Sequence, residues 1–443
     1  MIKKTFTQTQ IIALGFFLMI AAGTLLLLCP FSSRNGSVPV LDALFTATSA
    51  SCVTGLVTVD TYTQWSRFGQ VVILILIQIG GLGFMTIATL FSFFLRRKIS
   101  LRERGILQES MNSDRIGGIV RLVRLVLKGT LLCEGLGAFL LAFRFVPLLG
   151  WGEGLFYSVF HAVSAFCNAG FDLMGRYAPY DSLVRFQTDP LVNGVLIALI
   201  VMGGIGFLVW QDIVTFRWHW KEYTMQTKLV LTVTAVLLLG GTLGIWLLER
   251  HRLFAGQAPA IQLLEALFAS ASVRTAGFNT VDLAGLSEGT KLFHLFFMLV
   301  GGSPGSTAGG IKTTTLAVLV LGVRSNVRHE ADINVFGRRL EEDAVKRASA
   351  ILMINLTLAL VASLWICSAD GMSAMDAMFE AFSAIGTVGI TVGITRDLGL
   401  VSRLLIIFLM YCGRVGSLSF ALSFSQRKRP APVRQPVEKI AVG

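Results

Sequence analysis

Apolar positions in this 443-residue chain fall into long unbroken runs, without the stripes and alternations of a soluble domain. Clear runs are Ile11–Cys29, Val71–Leu95, Val195–Val209, Leu229–Leu248 and Leu404–Phe424. They lie near the ~20 residues that cross a bilayer as a helix. Between long runs sit four shorter amphipathic stretches, Leu41–Ser51, Gly154–Phe166, Ile261–Ser272 and Met372–Ile385. These are too short to span and have the length of a re-entrant helix. Each has an acid near its start, namely Asp42, Glu153, Glu265 and Asp376. An acid there complements the positive end of the helix dipole, or simply caps the first turn.

The short stretches are copies of one another. Residues 49–56 read SASCVTGL, 164–171 SAFCNAGF, 271–278 ASVRTAGF and 383–390 SAIGTVGI. Their central glycines, Gly55, Gly170, Gly277 and Gly389, recur about every 110 residues, the period of a structural module. The long segments that follow, Phe68–Leu95, Leu191–Asp212, Leu292–Leu321 and Ser402–Phe424, share a second glycine cluster. It reads GGLGF at 80–84, GGIGF at 203–207, GGSPG at 301–305 and GRVG at 413–416. The pattern predicts an all-α integral membrane protein of four pseudo-repeats, each a helix, a pore helix, a glycine loop and a helix. Eight spanning helices would surround a central ion path, with both termini on one side. The repeats divide at 1–97, 98–215, 216–325 and 326–425, leaving a tail at 426–443.

Composition supports the membrane reading. Hydrophobic residues make up 54% and charged residues only 14%, far below the charge of a soluble protein this size. The formal charge of +12 raises the possibility of nucleic-acid binding, but its distribution answers that. Of 38 Lys and Arg, 25 fall in the N-tail, 96–128, 212–228, 324–347 and the segment after Gln426. About 11 fall on the opposite face, and Lys312 and Arg414 lie within spans. That is the positive-inside asymmetry, with both termini cytoplasmic. No extended polar domain remains to read nucleic acid. Lys3 and Lys4 before an apolar run superficially resemble a signal peptide, but Cys29-Pro30-Phe31 does not fit a cleavage site. The six cysteines form no C-x-x-C pair, and the five histidines lack metal-ligand spacing.

Non-helical backbone at membrane depth is tolerated where it is buried in protein or lines a watery path. Four glycine loops, each following a half-helix, would meet around one axis. Carbonyls of Val53-Thr54-Gly55, Asn168-Ala169-Gly170, Thr275-Ala276-Gly277 and Thr387-Val388-Gly389 could then replace a cation's hydration shell. A single such glycine could serve helix packing instead. Four in register favour the shared backbone role.

These four segments and their plan resemble the Trk/Ktr/HKT superfamily of K⁺ uptake proteins, most closely the membrane subunit of the bacterial Ktr system. The resemblance runs from about Thr9 to Phe424. It implies uptake of K⁺ across the cytoplasmic membrane, a homodimer in lipid, and a cytosolic nucleotide-binding ring that regulates opening. K⁺ would be the transported ion, with Na⁺ a candidate activator, and no covalent cofactor or enzymatic step is implied. Glycine in all four loops resembles the K⁺-selective pattern.

One segment interrupts the second long helix of repeat 3: Gly301-Gly302-Ser303-Pro304-Gly305-Ser306-Thr307-Ala308-Gly309-Gly310-Ile311-Lys312. It looks like a phosphate loop, but Ile311 breaks the G-K-[ST] ending and no strand precedes it. In the superfamily this segment is a gating loop. Pro304 is found in this copy alone, so only this second helix is expected to be interrupted. Arg414, in the last span, is costly in hydrocarbon and is a functional candidate for that reason. The resemblance places it beside the gating loop, where it would repel cations; a carbonyl-paired structural arginine is the plainer reading. Arg274, before Thr275, is expected to support its loop from behind. Two other classes compete. A coupled transporter with inverted repeats predicts pairs of broken helices. A membrane enzyme predicts clustered His, Asp or Glu within spans, which we do not find.

Overall fold

The computed structural model describes residues 7–83, 86, 105–108, 119–330 and 332–416. The tail at 426–443, Lys3 and Lys4, Arg102 and Arg104, and most of the basic segment 96–128 lie outside the described residues.

Four long apolar helices dominate: α1 (Gln8–Leu28), α4 (Ile119–Leu149), α8 (Met225–Glu249) and α12 (Ala344–Asp370). Each is long and apolar enough to cross a bilayer. Each leads into a short helix: α2 (Val40–Ser51), α5 (Trp151–Phe166), α9 (Pro259–Ser272) and α13 (Ala374–Gly386). A glycine loop follows, and then a second helix begins: α3 (Arg67–Leu82), α6 (Pro190–Gly204), α10 (Glu288–Leu299) and α14 (Leu400–Val415). Starts are set locally. Ser66, Asp189 and Ser287 each accept a backbone N–H in the first turn of the second helix they precede, satisfying donors that have no intrahelical partner. Two further helices, α7 (Phe207–Phe216) and α11 (Thr313–Val327), continue beyond breaks, and a small hairpin pairs Asn334–Val335 with Arg338–Arg339.

Two expectations need correction. First, Glu265 is not at a helix start. Pro259, pre-organised for a first helical position, starts α9 early, so Glu265 falls in the second turn and the first turn holds no acid. Second, the break in repeat 3 is not unique. The expected continuous helix Leu191–Asp212 is two helices, α6 and α7, bent by 94°. Helix α3 stops at Leu82 and α14 at Val415. In each cluster the last glycine has positive φ: Gly83 (82°), Gly206 (94°), Gly305 (66°) and Gly416 (95°). That conformation ends the i→i−4 ladder whether or not a proline is present.

The first glycine of three clusters has a different task. A methyl built on Gly80, Gly203 or Gly413 would strike the carbonyl of Ser51, Phe166 or Ile385. The second helix therefore lies directly on the end of its own short helix, and the loop is wedged between them.

Near their starts, second helices are joined by ion pairs to the next short helix. Arg403 of α14 donates to Asp42 of α2 at 3.0 Å, and Lys291 of α10 to Asp376 of α13 at 3.0 Å. Arg67 of α3 pairs with Glu153 of α5. The fourth seam, α6 to α9, has no such pair among the described residues. Its equivalent side chain, Asn193, instead donates to the carbonyls of Phe186, Gln187 and Asp189.

The pairs differ in exposure, and so should their worth. Asp42 also accepts from Thr58 at 2.8 Å and is buried, so Asp42→Ala should cost about 3 kcal/mol, as expected when one partner of a buried pair is removed. Glu153→Ala breaks a half-exposed pair and should cost under ~1 kcal/mol. Thermal unfolding of the two variants in detergent should show a much larger drop in Tm for the first.

Candidate functional site: four glycine loops and a plug of irregular backbone

The four loops share one backbone geometry. Their first residues, Val53, Asn168, Thr275 and Thr387, have φ of 49°, 57°, 73° and 51°. Their glycines, Gly55, Gly170, Gly277 and Gly389, have φ of 99°, 69°, 82° and 91°. The middle residues, Thr54, Ala169, Ala276 and Val388, do not. Alternating left- and right-handed residues turn successive N–H groups to one side and carbonyls to the other. Three of the four first residues are β-branched, for which positive φ is a genuine strain costing on the order of 1–3 kcal/mol each.

The loops close a ring. A methyl on Gly55 would lie 2.7 Å from the Ala169 carbonyl oxygen, one on Gly170 2.8 Å from that of Ala276, and one on Gly277 2.9 Å from that of Val388. One on Gly389 would strike Thr54 O and close the circuit. All four loops are buried.

Hydrogen bonds hold the N–H side. The Thr54, Ala169 and Val388 N–H groups each donate to a carbonyl in the last turn of the preceding helix, at 2.8 Å. Ser49 Oγ accepts from Gly55 N at 3.0 Å and Ser383 Oγ from Gly389 N at 3.1 Å. The third loop has Ala271 at that place and cannot do this. Arg274, behind that loop, is buried, and its Nε has no hydrogen-bond partner among the described residues.

Outside the ring is a cavity of about 200 Å³. The four glycines form its floor, and Asp60, Asp172 and Asp282 are in its wall. On the other side lies the 301–312 loop. Gly301 N donates to Ile311 O at 2.8 Å and Thr313 N to Gly302 O at 3.1 Å, closing its neck. The loop then leans on the break between α6 and α7. Ser303 N donates to Gly204 O (2.9 Å), Thr307 N to Gly203 O (3.2 Å), and Phe207 N to Gly305 O (2.7 Å). Lys312 turns back on its own loop, with Nζ 2.8 Å from Ala308 O and 3.3 Å from Gly309 O. Gly310 lies against Gly386 at the end of α13, while Pro304 O lies by Gly206. Ser306 Oγ is buried without a hydrogen-bond partner among the described residues.

Arg414 reaches this loop from α14. It donates to Thr307 O and Gly80 O, and to Gly81 O at 3.0 Å. The carbonyl-paired reading of this residue therefore describes its contacts. It ties the loop of repeat 3 to the end of α3 in repeat 1. Sequence reasoning also passed over Glu134, a buried carboxyl midway along α4, because it stands alone in an apolar run.

The strained loops close a ring with three aspartates on one face and the irregular 301–312 backbone on the other. The TrkH profile, described as a cation transport protein, matches residues 3–431. The chain belongs to the TrkH family. It is a cation transporter and not an enzyme. The potassium/sodium uptake protein NtpJ of Enterococcus hirae is 40% identical, covering 100% of this chain and 98% of NtpJ. The Ktr system potassium uptake protein B of Bacillus subtilis is 39% identical, covering 99% of this chain and 97% of that protein. The crystal structure of the potassium transporter TrkH from Vibrio parahaemolyticus superposes with a TM-score of 0.73 at 19% identity. It covers 96% of this chain and 86% of that one, and shows the same fold.

The close approach at Gly206 yields a test of how this TrkH-family protein seats its loop. A methyl there would lie 2.6 Å from Pro304 O, at a φ that L-residues avoid. Gly206→Ala should destabilise the fold by about 1–3 kcal/mol, read as a lowered Tm in detergent.

Proposed function

We propose that this chain is the membrane subunit of a K⁺ uptake system of the cytoplasmic membrane. The observation that carries the reading is the ring of four loops with alternating φ. Four chemically different triplets adopt one strained geometry, and strain repeated in register is held for a purpose. That purpose is to present carbonyls to a dehydrated cation. Four pseudo-repeats of helix, pore helix, loop and helix then supply eight spanning segments, with the termini in the cytoplasm.

The names of the relatives direct the choice of ion. NtpJ is a potassium/sodium uptake protein and the Bacillus subtilis protein belongs to a potassium uptake system. K⁺ is the transported ion in our reading, with Na⁺ as a second permeant or activating ion. The aspartates of the outer cavity concentrate cations, and no side-chain carboxylate is required in the ring itself. The word "system" in the relative's name fits a partner, which we take to be a cytosolic nucleotide-binding ring on a homodimer of this chain. Its docking surface would include 324–347, where Arg338 and Arg339 lie on the hairpin.

The filter is tested by Gly55→Ser, Gly170→Ser, Gly277→Ser and Gly389→Ser. Each puts a side chain against the neighbouring loop's backbone. The ratio of K⁺ to Na⁺ flux in liposomes should fall about tenfold or more, equivalent to ~1.4 kcal/mol of lost discrimination. Unchanged ratios in all four folded variants would remove the filter from these loops.

The gate is the 301–312 loop, held by Arg414 and Lys312. The loop fills the path and Arg414 pins it to α3. Arg414→Ala, or deletion of Ser303–Thr307, should raise K⁺ flux without a regulator severalfold and leave ion preference in place. If both variants fold and carry no more K⁺ than the parent, the barrier lies elsewhere.

A further inference from the structure

Glu134 lies midway along α4, only 7% exposed, and no Lys, Arg or His among the described residues pairs with it. A lone carboxyl at membrane depth is expensive and calls for a role. Its two polar neighbours are uncharged. Gln78 Nε2 of α3 donates to Glu134 Oε2 at 3.3 Å, and the Cys167 thiol lies 3.9 Å from Glu134 Oε1 and 3.8 Å from Gln78 Oε1. Both neighbours are close to the transport machinery. Cys167 immediately precedes Asn168, the first residue of the second glycine loop. Gln78 is two and three residues before Gly80 and Gly81, whose carbonyls hold Arg414. A methyl on Gly81 would lie 2.7 Å from Cys167 Sγ. An unbroken series of contacts thus runs from Glu134 through Cys167 and Gly81 to Arg414, and on to Thr307 in the plug.

We propose that Glu134 is a proton-binding site that sets the strength of the Arg414 clamp. This rests on the reading of Arg414 and the 301–312 loop as the gate. The carboxyl exchanges a single proton with water. Charged, it draws in the Cys167 thiol, which packs on Gly81, and through the Gly81 carbonyl it pulls on the Arg414 guanidinium. That pull competes with Thr307 O, so the loop is released more readily. Protonated, it is neutral and leaves Arg414 on the loop. Conduction therefore rises with pH. Other groups around α4 do not share this position. Cys133 is on the same helix, and Lys128 is six residues toward the cytoplasmic end. Helix α5 presents Cys167 here, with His161 and Glu153 further out. Asp189, at the start of α6, is occupied by Arg144 at 2.8 Å. Asp212 of α7 accepts from Thr224 and Thr227.

The test is K⁺ flux in liposomes at matched pH on both sides, across the neutral range, for the parent, Glu134→Gln, Glu134→Asp and Arg414→Ala. Glutamine keeps the Gln78 hydrogen bond and cannot ionise. Glu134→Gln should hold flux at the parent's low-pH level, several-fold below the parent at alkaline pH, and Glu134→Asp should restore the slope. Asp172 of the outer cavity is unchanged in every variant, so the difference between profiles reports Glu134 alone. A parent-like profile in Glu134→Gln overturns the proposal. Arg414→Ala separates the two readings: raised flux supports the gate whatever Glu134 does, and unraised flux removes the gate and this inference with it. If Glu134→Gln does not fold, infrared difference spectra of the parent and Glu134→Asp decide. A protonated-carboxyl band that titrates in the parent and shifts in Glu134→Asp supports proton binding, and an identical band in both overturns it.

Discussion

Everything in this protein depends on satisfying backbone polar groups where water is scarce. Within a bilayer each unpaired peptide N–H or carbonyl costs several kcal/mol, and helices avoid that cost by pairing internally. This chain gives up that pairing in the four glycine loops and in the second-helix breaks. At the loops the accounting is one-sided. The Thr54, Ala169, Ala276 and Val388 N–H groups pair with the last turn of the short helices, and those of Gly55 and Gly389 with Ser49 and Ser383. The carbonyls turn the other way. In the function we propose, the permeant ion completes the pairing of these carbonyls.

The breaks settle the same account with backbone and cationic donors from other segments. Ending α3, α6 and α14 at a glycine frees carbonyls at membrane depth. Gly203 and Gly204 accept from the 301–312 loop, and Gly80 and Gly81 accept from Arg414. Lys312 serves Ala308 and Gly309. Held by carbonyls alone, each cation is balanced by dipoles and not by a counter-charge. Such a balance is open to small changes in the local field, which weigh more in a low-dielectric interior than in water.

The four quarters have also diverged. Three seams carry an ion pair between a second helix and the next short helix, and the seam from α6 to α9 does not. The 301–312 loop leans on the break between α6 and α7, in that same quarter, and the third glycine loop lacks the serine that steadies Gly55 and Gly389. The quarter without the ion pair is therefore also the one on which the 301–312 loop rests.

Much of this was legible in the order of residues. Run lengths and the four aligned glycines are local or periodic features, and they determined the helical class and the four short helices with their glycine loops. The 301–312 loop stood out because glycine and proline cannot continue a helix. Tertiary structure decided what depends on contact between distant segments. The 301–312 loop of repeat 3 seats at the 94° bend, where Phe207 N donates to Gly305 O. Arg414 proved to be a clamp because the carbonyls of Gly80, Gly81 and Thr307 converge on it from two other repeats. Glu134 acquired its polar neighbours only once α3 and α5 brought Gln78 and Cys167 beside it. A sequence displays which groups need partners. Packing alone decides which partners they find, because residues hundreds of positions apart become neighbours only in the fold.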